Sequence, residues 1–201
     1  MADDAIAILD GYGISRAHLV GMSLGGMIAQ IDAIKYPSRV ESITTIASGI
    51  WDDLPELPQI DEKIIHYQTK AATLDFNDQK AVIDYMVGGW QLLNGSAHPF
   101  DEARAHSLAE TEVKRAKCLS CMFNHAMLRD GEELYGKVSK LKVPFLIIHG
   151  TEDNVLPFAH AEVMNKSIQH SELLVLKGAG HEIHYAEWDR IIEAIIKHTN
   201  R

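Results

Sequence analysis

A serine set among glycines, Gly21-Met22-Ser23-Leu24-Gly25-Gly26, stands between two runs of different character. His18-Leu19-Val20 ahead of it reads as a short apolar strand, and Met27 to Ile34 behind it reads as a helix. A G-x-S-x-G pattern at a strand-to-helix junction is a severe constraint, because the chain must reverse direction within a few residues. Small residues two positions either side of the serine let the backbone pass closely through a strained conformation. The serine hydroxyl is then held at a helix N-terminus, where N–H groups and the helix dipole favour developing negative charge.

Two later segments present further chemistry. Val143-Pro144-Phe145-Leu146-Ile147-Ile148-His149 is a continuous apolar run, the signature of a strand buried on both faces. It runs into Gly150-Thr151-Glu152-Asp153-Asn154, a polar turn that carries Asp153. Glu172 to Lys177 is another strand candidate, followed by Gly178-Ala179-Gly180-His181. Serine, aspartate and histidine thus occur in that order, each on a loop after a strand. Singly, each has a plainer explanation: a turn serine, an aspartate capping the helix that starts near Pro157, a solvated loop histidine. Glu152 is a neighbouring acid that competes with Asp153. The three together, on the right elements, point to nucleophilic catalysis.

The segments GMSLGG, VPFLIIHGTEDNVLP and LKGAGHEIHYAEW resemble those of the α/β-hydrolase superfamily, in particular its esterase-like and haloperoxidase-like members with a helical cap. The resemblance spans nearly the whole chain and is loosest between Gly49 and Leu141. It implies a partial α/β-hydrolase fold: a mostly parallel sheet, flanking helices and a helical cap insertion. It implies Ser23 as nucleophile, His181 as general base, Asp153 as the acid that orients the imidazole, and the Leu24 N–H as an oxyanion donor. A serine nucleophile argues against the dehalogenases and epoxide hydrolases of the superfamily, which use an aspartate. The implied function is a carboxylesterase-like serine hydrolase forming an acyl-serine on a small or medium apolar ester or lactone. Two alternatives stand beside it: a carbon–carbon bond hydrolase with the same triad, and a weak or inactive fragment or ligand-binding module that keeps the motifs. No cofactor or metal is signalled.

Strand and helix patterns alternate, as a parallel sheet requires. Residues 1–49 read as a core part with helix, elbow strand, helix and strand. Residues 50–140 read as a helical cap with segments at 61–74, 77–93, 100–116 and 116–128, and residues 141–201 as a second core part. Met22, Trp51, Trp90, Met122 and Met127 are candidates to line an acyl pocket. The last helix carries Trp188, Ile191, Ile192, Ile195 and Ile196 as a stripe expected to pack on the sheet.

Members of the superfamily carry several tens of residues more before the nucleophile, with the first strands and a second oxyanion donor, whereas Ser23 lies 22 residues from Met1. The expectation is an elbow strand with one unpaired edge, through which two chains could pair. One oxyanion donor of two would remain, at a cost of ~10²–10³ in rate, so that the chain shows little esterase activity.

The 201 residues suit one domain, and the formal net charge of −9 disfavours nucleic acid and anionic membranes as partners. No apolar run approaches a membrane span and no signal peptide opens the chain. Cys118 and Cys121 form a lone C-x-x-C, with His125 as one further ligand candidate. The expectation is reduced, structurally neutral thiols and a cytoplasmic setting. His181-Glu182-Ile183-His184 spaces its histidines three apart, not the four of a zinc-protease helix.

Overall fold

The computed structural model describes residues 1–128 and 130–200. Among them the order is α1 (Ala2–Gly11), β1 (Ala17–Met22), α2 (Leu24–Lys35), β2 (Val40–Ile46), α3 (Glu62–Thr69), α4 (Gln79–Leu93), α5 (Glu102–Arg115), β3 (Phe145–Gly150), α6 (Ala159–Ser167), β4 (Ser171–Leu176) and α7 (Trp188–Thr199). The four strands form one sheet in the order β1-β2-β3-β4, parallel throughout. Every strand therefore points its C-terminal end the same way, and the loops that leave those ends share one edge of the sheet. The polar segments carrying Ser23, Asp153 and His181 all belong to that edge.

Burial follows the sequence pattern. All six residues of β3 are buried, as a strand between two covered faces demands. On one face Ile43, Phe145 and Ile147 pack with Ala29 and Ala33 of α2 and with Ala161 and Met164 of α6. On the other, Leu146, Ile148 and Leu176 pack against Ile191 of α7. Ala47, the residue after β2, has φ of 46°, which turns the chain away before Ser48. The connection from β2 to β3 carries α3, α4 and α5 and, among the described residues, no strand. Its own small core is Val87, Ala105 and Ala109, with Met86, Trp90 and Phe100 around it.

Three expectations need correction. The segment expected as a helix over 116–128 is a 3₁₀ stretch, Leu119–Met127. Cys118 and Cys121 are disulfide-bonded, not reduced, with their Cα atoms 5.5 Å apart. A tight turn, closed by the Cys121 amide on the Cys118 carbonyl, brings the two within disulfide reach. The argument from free thiols to a reducing compartment loses its premise. Finally, the α7 stripe is wider than the surface it covers. Ile191 and Ile195 pack on the sheet, whereas Trp188, Ile192 and Ile196 are about half exposed, as are Val20 and Met22 on β1. Alternate residues of β1 are exposed, and α7 lies chiefly over β2 and β3 rather than over that edge strand. Among the described residues, no helix is long and apolar enough to cross a membrane.

Asp32 of α2 is buried, and its Oδ1 has no hydrogen-bond partner among the described residues. Burial, and then the nearby Asp3 carboxylate, push its pKa up to about 6, against an opposing pull from Lys35. An acid raised in this way favours folding while protonated, and that contribution disappears as pH rises from about 4 through 6. Asp32→Asn should therefore gain stability relative to wild type between pH 4 and pH 7, by about 1–2 kcal/mol after allowance for solvent screening. Urea titrations at the two pH values check this; a constant difference would show that Asp32 is not the titrating group.

Candidate active site

Ser23 occupies the turn between β1 and α2 with φ 51° and ψ −122°, a conformation that costs a non-glycine residue ~1–3 kcal/mol. The surroundings hold it there. Its N–H donates to the Ile46 carbonyl at 2.9 Å, and its carbonyl accepts from the Gly26 amide at 3.0 Å. The same carbonyl accepts from Ser48 Oγ at 2.8 Å. The glycine requirement is shifted from the expected pair. A Cβ on Gly21 would fall inside the Gly25 backbone, and one on Gly26 would meet Ser48 Oγ at 2.5 Å, but a Cβ on Gly25 would meet nothing. Close passage is thus needed two residues before the serine and three after it. With Gly26 turned back onto Ser23, the amide of Leu24 is the leading N–H of the helix, and the first amides of a helix have no acceptor within it.

Asp153 and His181 come together. His181 Nδ1 lies 2.9 Å from Asp153 Oδ2. A carboxylate oxygen accepts, so Nδ1 carries the proton and Nε2 the lone pair. The other carboxylate oxygen, Oδ1, accepts from the amides of Val155 at 2.9 Å and Leu156 at 2.8 Å. The Asp153 side chain is fully buried and His181 nearly so. Ser23 Oγ makes no hydrogen bond to His181 among the described residues; such contacts are often long before substrate binds. Glu152, the competing acid, points elsewhere. Its carboxylate takes the Ser96 amide at 2.8 Å and the Ser96 hydroxyl at 2.6 Å, and these bonds hold its pKa down.

Those contacts belong to a clamp between the end of α4 and the two loops. Asn154 Nδ2 donates to the Leu92 carbonyl at 2.7 Å. The amides of Glu182 and Ala97 reach the carbonyls of Leu93 and Gly178, and the amide of Glu152 ties the acid loop to Ala179 on the histidine loop. Two groups near the pair escape a sequence reading. Burial pushes the Glu182 carboxyl up. His149, at the end of β3, lies 3.4 Å from Asp153 Oδ2 with neither side chain exposed.

The profile of the serine aminopeptidase S33 family matches residues 2–188. The chain belongs to that family. It is a hydrolase of the α/β-hydrolase fold, and its relatives include esterases. It is 26% identical over 215 residues to the rhodomycin D methylesterase of Streptomyces peucetius, an alignment covering 99% of this chain and 72% of the relative. It is 28% identical over 201 residues to the pimeloyl-(acyl-carrier protein) methyl ester esterase of Aeromonas hydrophila, covering 98% and 74%. The esterase from Exiguobacterium antarcticum has the same fold, with a TM-score of 0.76 at 21% identity over 100% of this chain and 73% of that one.

The apolar candidates of this hydrolase do not share one pocket. Trp51 borders a cavity of about 580 Å³ that also touches Leu24, Ile28 and Leu128. Trp90 borders a cleft of about 370 Å³ with Phe100, Arg104, Glu182 and Trp188. Met122 lies in a third depression beside Cys118 and Cys121. Met22 is 42% exposed next to Ser23. The side chain of Met127 lies outside the described residues.

Gly21→Ala should destabilise the fold by ~3 kcal/mol or more, since backbone cannot yield to the new methyl group. Gly25→Ala should stay within ~1 kcal/mol of wild type. Parallel urea titrations check the contrast; equal losses would show that the close contact lies elsewhere.

Proposed function

We propose that Ser23, His181 and Asp153 act as one unit in a serine hydrolase that cleaves a small or medium apolar ester. The observation that carries the reading is the buried hydrogen bond from His181 Nδ1–H to Asp153, with Ser23 forced into a strained turn at the same edge of the sheet. Ser23 Oγ attacks the ester carbonyl while His181 Nε2 removes its proton. The Leu24 N–H faces the oxyanion of the tetrahedral intermediate. Collapse expels the alcohol, which takes the proton from His181, and leaves an acyl-serine. Water, deprotonated by His181, then attacks the acyl carbon; collapse returns the proton to Ser23 and releases the acid. Asp153 keeps the imidazole in the tautomer with Nε2 unprotonated and stabilises the imidazolium that forms in each half.

Methyl esters are the substrate class we favour, because both curated relatives described above carry that chemistry in their names. We assign residues 50–140 to a cap and place Met22, which is exposed beside Ser23, at the mouth of the acyl site. Carbon–carbon bond hydrolysis would use the same unit, and the choice between them falls to the substrate series below. The half-exposed Val20 and Met22 on the edge strand β1 offer a face for pairing of two chains.

Labelling by a fluorophosphonate tests the unit directly. Wild type should label at Ser23, Ser23→Ala should not label at all, and His181→Ala should label ~10³-fold or more slowly. A methyl ester series then reads turnover. Labelling that survives Ser23→Ala, or that is indifferent to His181, would reject the assignment.

A further inference from the structure

The strand that delivers the acid ends in a polar residue which the proposed chemistry does not use. His149 is fully buried at the penultimate position of β3, where every neighbour along the strand is apolar or glycine. Its Nε2 lies 2.7 Å from the Leu156 carbonyl and 3.4 Å from Asp153 Oδ2. A carbonyl oxygen only accepts, so Nε2 carries the hydrogen. The opposite nitrogen, Nδ1, is buried with no partner among the described residues. Leaving a lone pair unsatisfied in this way carries a desolvation cost, which an apolar residue of similar size would avoid. The titratable groups around the ring are Asp153, His181 and His160. Burial holds the imidazole pKa down, which favours the neutral ring.

The contacts it makes fall at both ends of the acid loop. Residues 153–156 form a tight turn in which Asp153 Oδ1 takes the amides of Val155 and Leu156. His149 Nε2–H donates to the carbonyl of Leu156, the last residue of that turn, and Asp153 Oδ2, the oxygen that receives His181, lies 3.4 Å from the same nitrogen without a hydrogen bond between them. Phe158 packs edge-on against the ring, with centroids 6.1 Å apart, and fixes its plane.

We propose that His149 is a positioning residue for the acid: its Nε2–H ties the Leu156 carbonyl to β3, and through the 153–156 turn it holds the Asp153 carboxylate in line with His181 Nδ1. The inference rests on the triad reading for its functional meaning, while its structural content can be tested without any turnover. Glutamine at 149 can place an amide N–H near the position of Nε2. Phenylalanine fills the volume and offers no donor.

The experiment uses the full chain with ¹⁵N-labelled histidine. The Nδ1 proton of His181, shared with Asp153, should give a far-downfield proton resonance in wild type and His149→Gln. It should be lost or moved upfield in His149→Phe. Fluorophosphonate labelling of Ser23 should slow about 10-fold or more in His149→Phe and stay within about 3-fold of wild type in His149→Gln, as a reacting geometry restored by one donor requires. A His149→Phe protein that keeps both the wild-type resonance and the wild-type labelling rate overturns the proposal. Should His149→Phe fail to fold by circular dichroism, the wild-type ¹⁵N spectrum decides. His149 must show a protonated Nε2 and a bare Nδ1 near neutral pH; the other tautomer, or an imidazolium, overturns it. A wild type that never labels rejects the triad reading alone, because the resonance still reports on His149.

Discussion

The left-handed backbone of Ser23 is the constraint from which the functional edge of this chain follows. An L-residue at φ 51° is unfavourable, and it persists because three hydrogen bonds and two glycine contacts leave no relaxed alternative. The Ile46 carbonyl, the Gly26 amide and the Ser48 hydroxyl fix the peptide groups around the serine. The missing side chains of Gly21 and Gly26 allow β1 and α2 to approach closely enough for that network to close. Relaxing the turn would break the register between β1 and β2 at its last pair, Met22 with Ile46. Strain at the serine and pairing in the sheet are therefore one mechanical system.

The parallel sheet does the rest of the positioning. Because all four strands end on one side, the acid and histidine loops emerge beside the elbow without a long excursion. They are then fastened from above by the end of α4. Glu152 spends its carboxylate on Ser96 and Asn154 spends its amide on Leu92. Two neighbouring polar residues thereby act as struts and leave Asp153, between them, facing His181. The Glu152–Ser96 bonds lie at the surface, whereas the Asp153–His181 bond is buried, where a bond is stronger and a missing partner more costly, which favours a single arrangement of the loop.

Much of this was legible in the residues. The all-apolar run ending at His149 announced a doubly covered strand, and β3 is buried at every position. The serine, aspartate and histidine each stand on the loop expected for them, and the structure joins Asp153 to His181. What was not legible depends on three-dimensional approach. The contact of Gly26 with Ser48 joins residues 22 apart, so nothing near the motif marked Gly26 rather than Gly25 as the indispensable glycine. The role of Glu152 was decided by Ser96, which is 56 residues away. A helical stripe does not reveal how much surface awaits it, so Ile192 and Ile196 read as core although they stand half exposed. The Cys118–Cys121 bond turned on a 3₁₀ turn that helical periodicity concealed.

The crystal structure of the chain after reaction with a fluorophosphonate would test the central claim most directly. The account predicts phosphorus bonded to Ser23 Oγ, its free oxygen accepting from the Leu24 N–H, and His181 Nε2 within hydrogen-bond reach while Nδ1 remains on Asp153. Phosphorus on another residue, or a His181 ring turned away from Asp153, would contradict it.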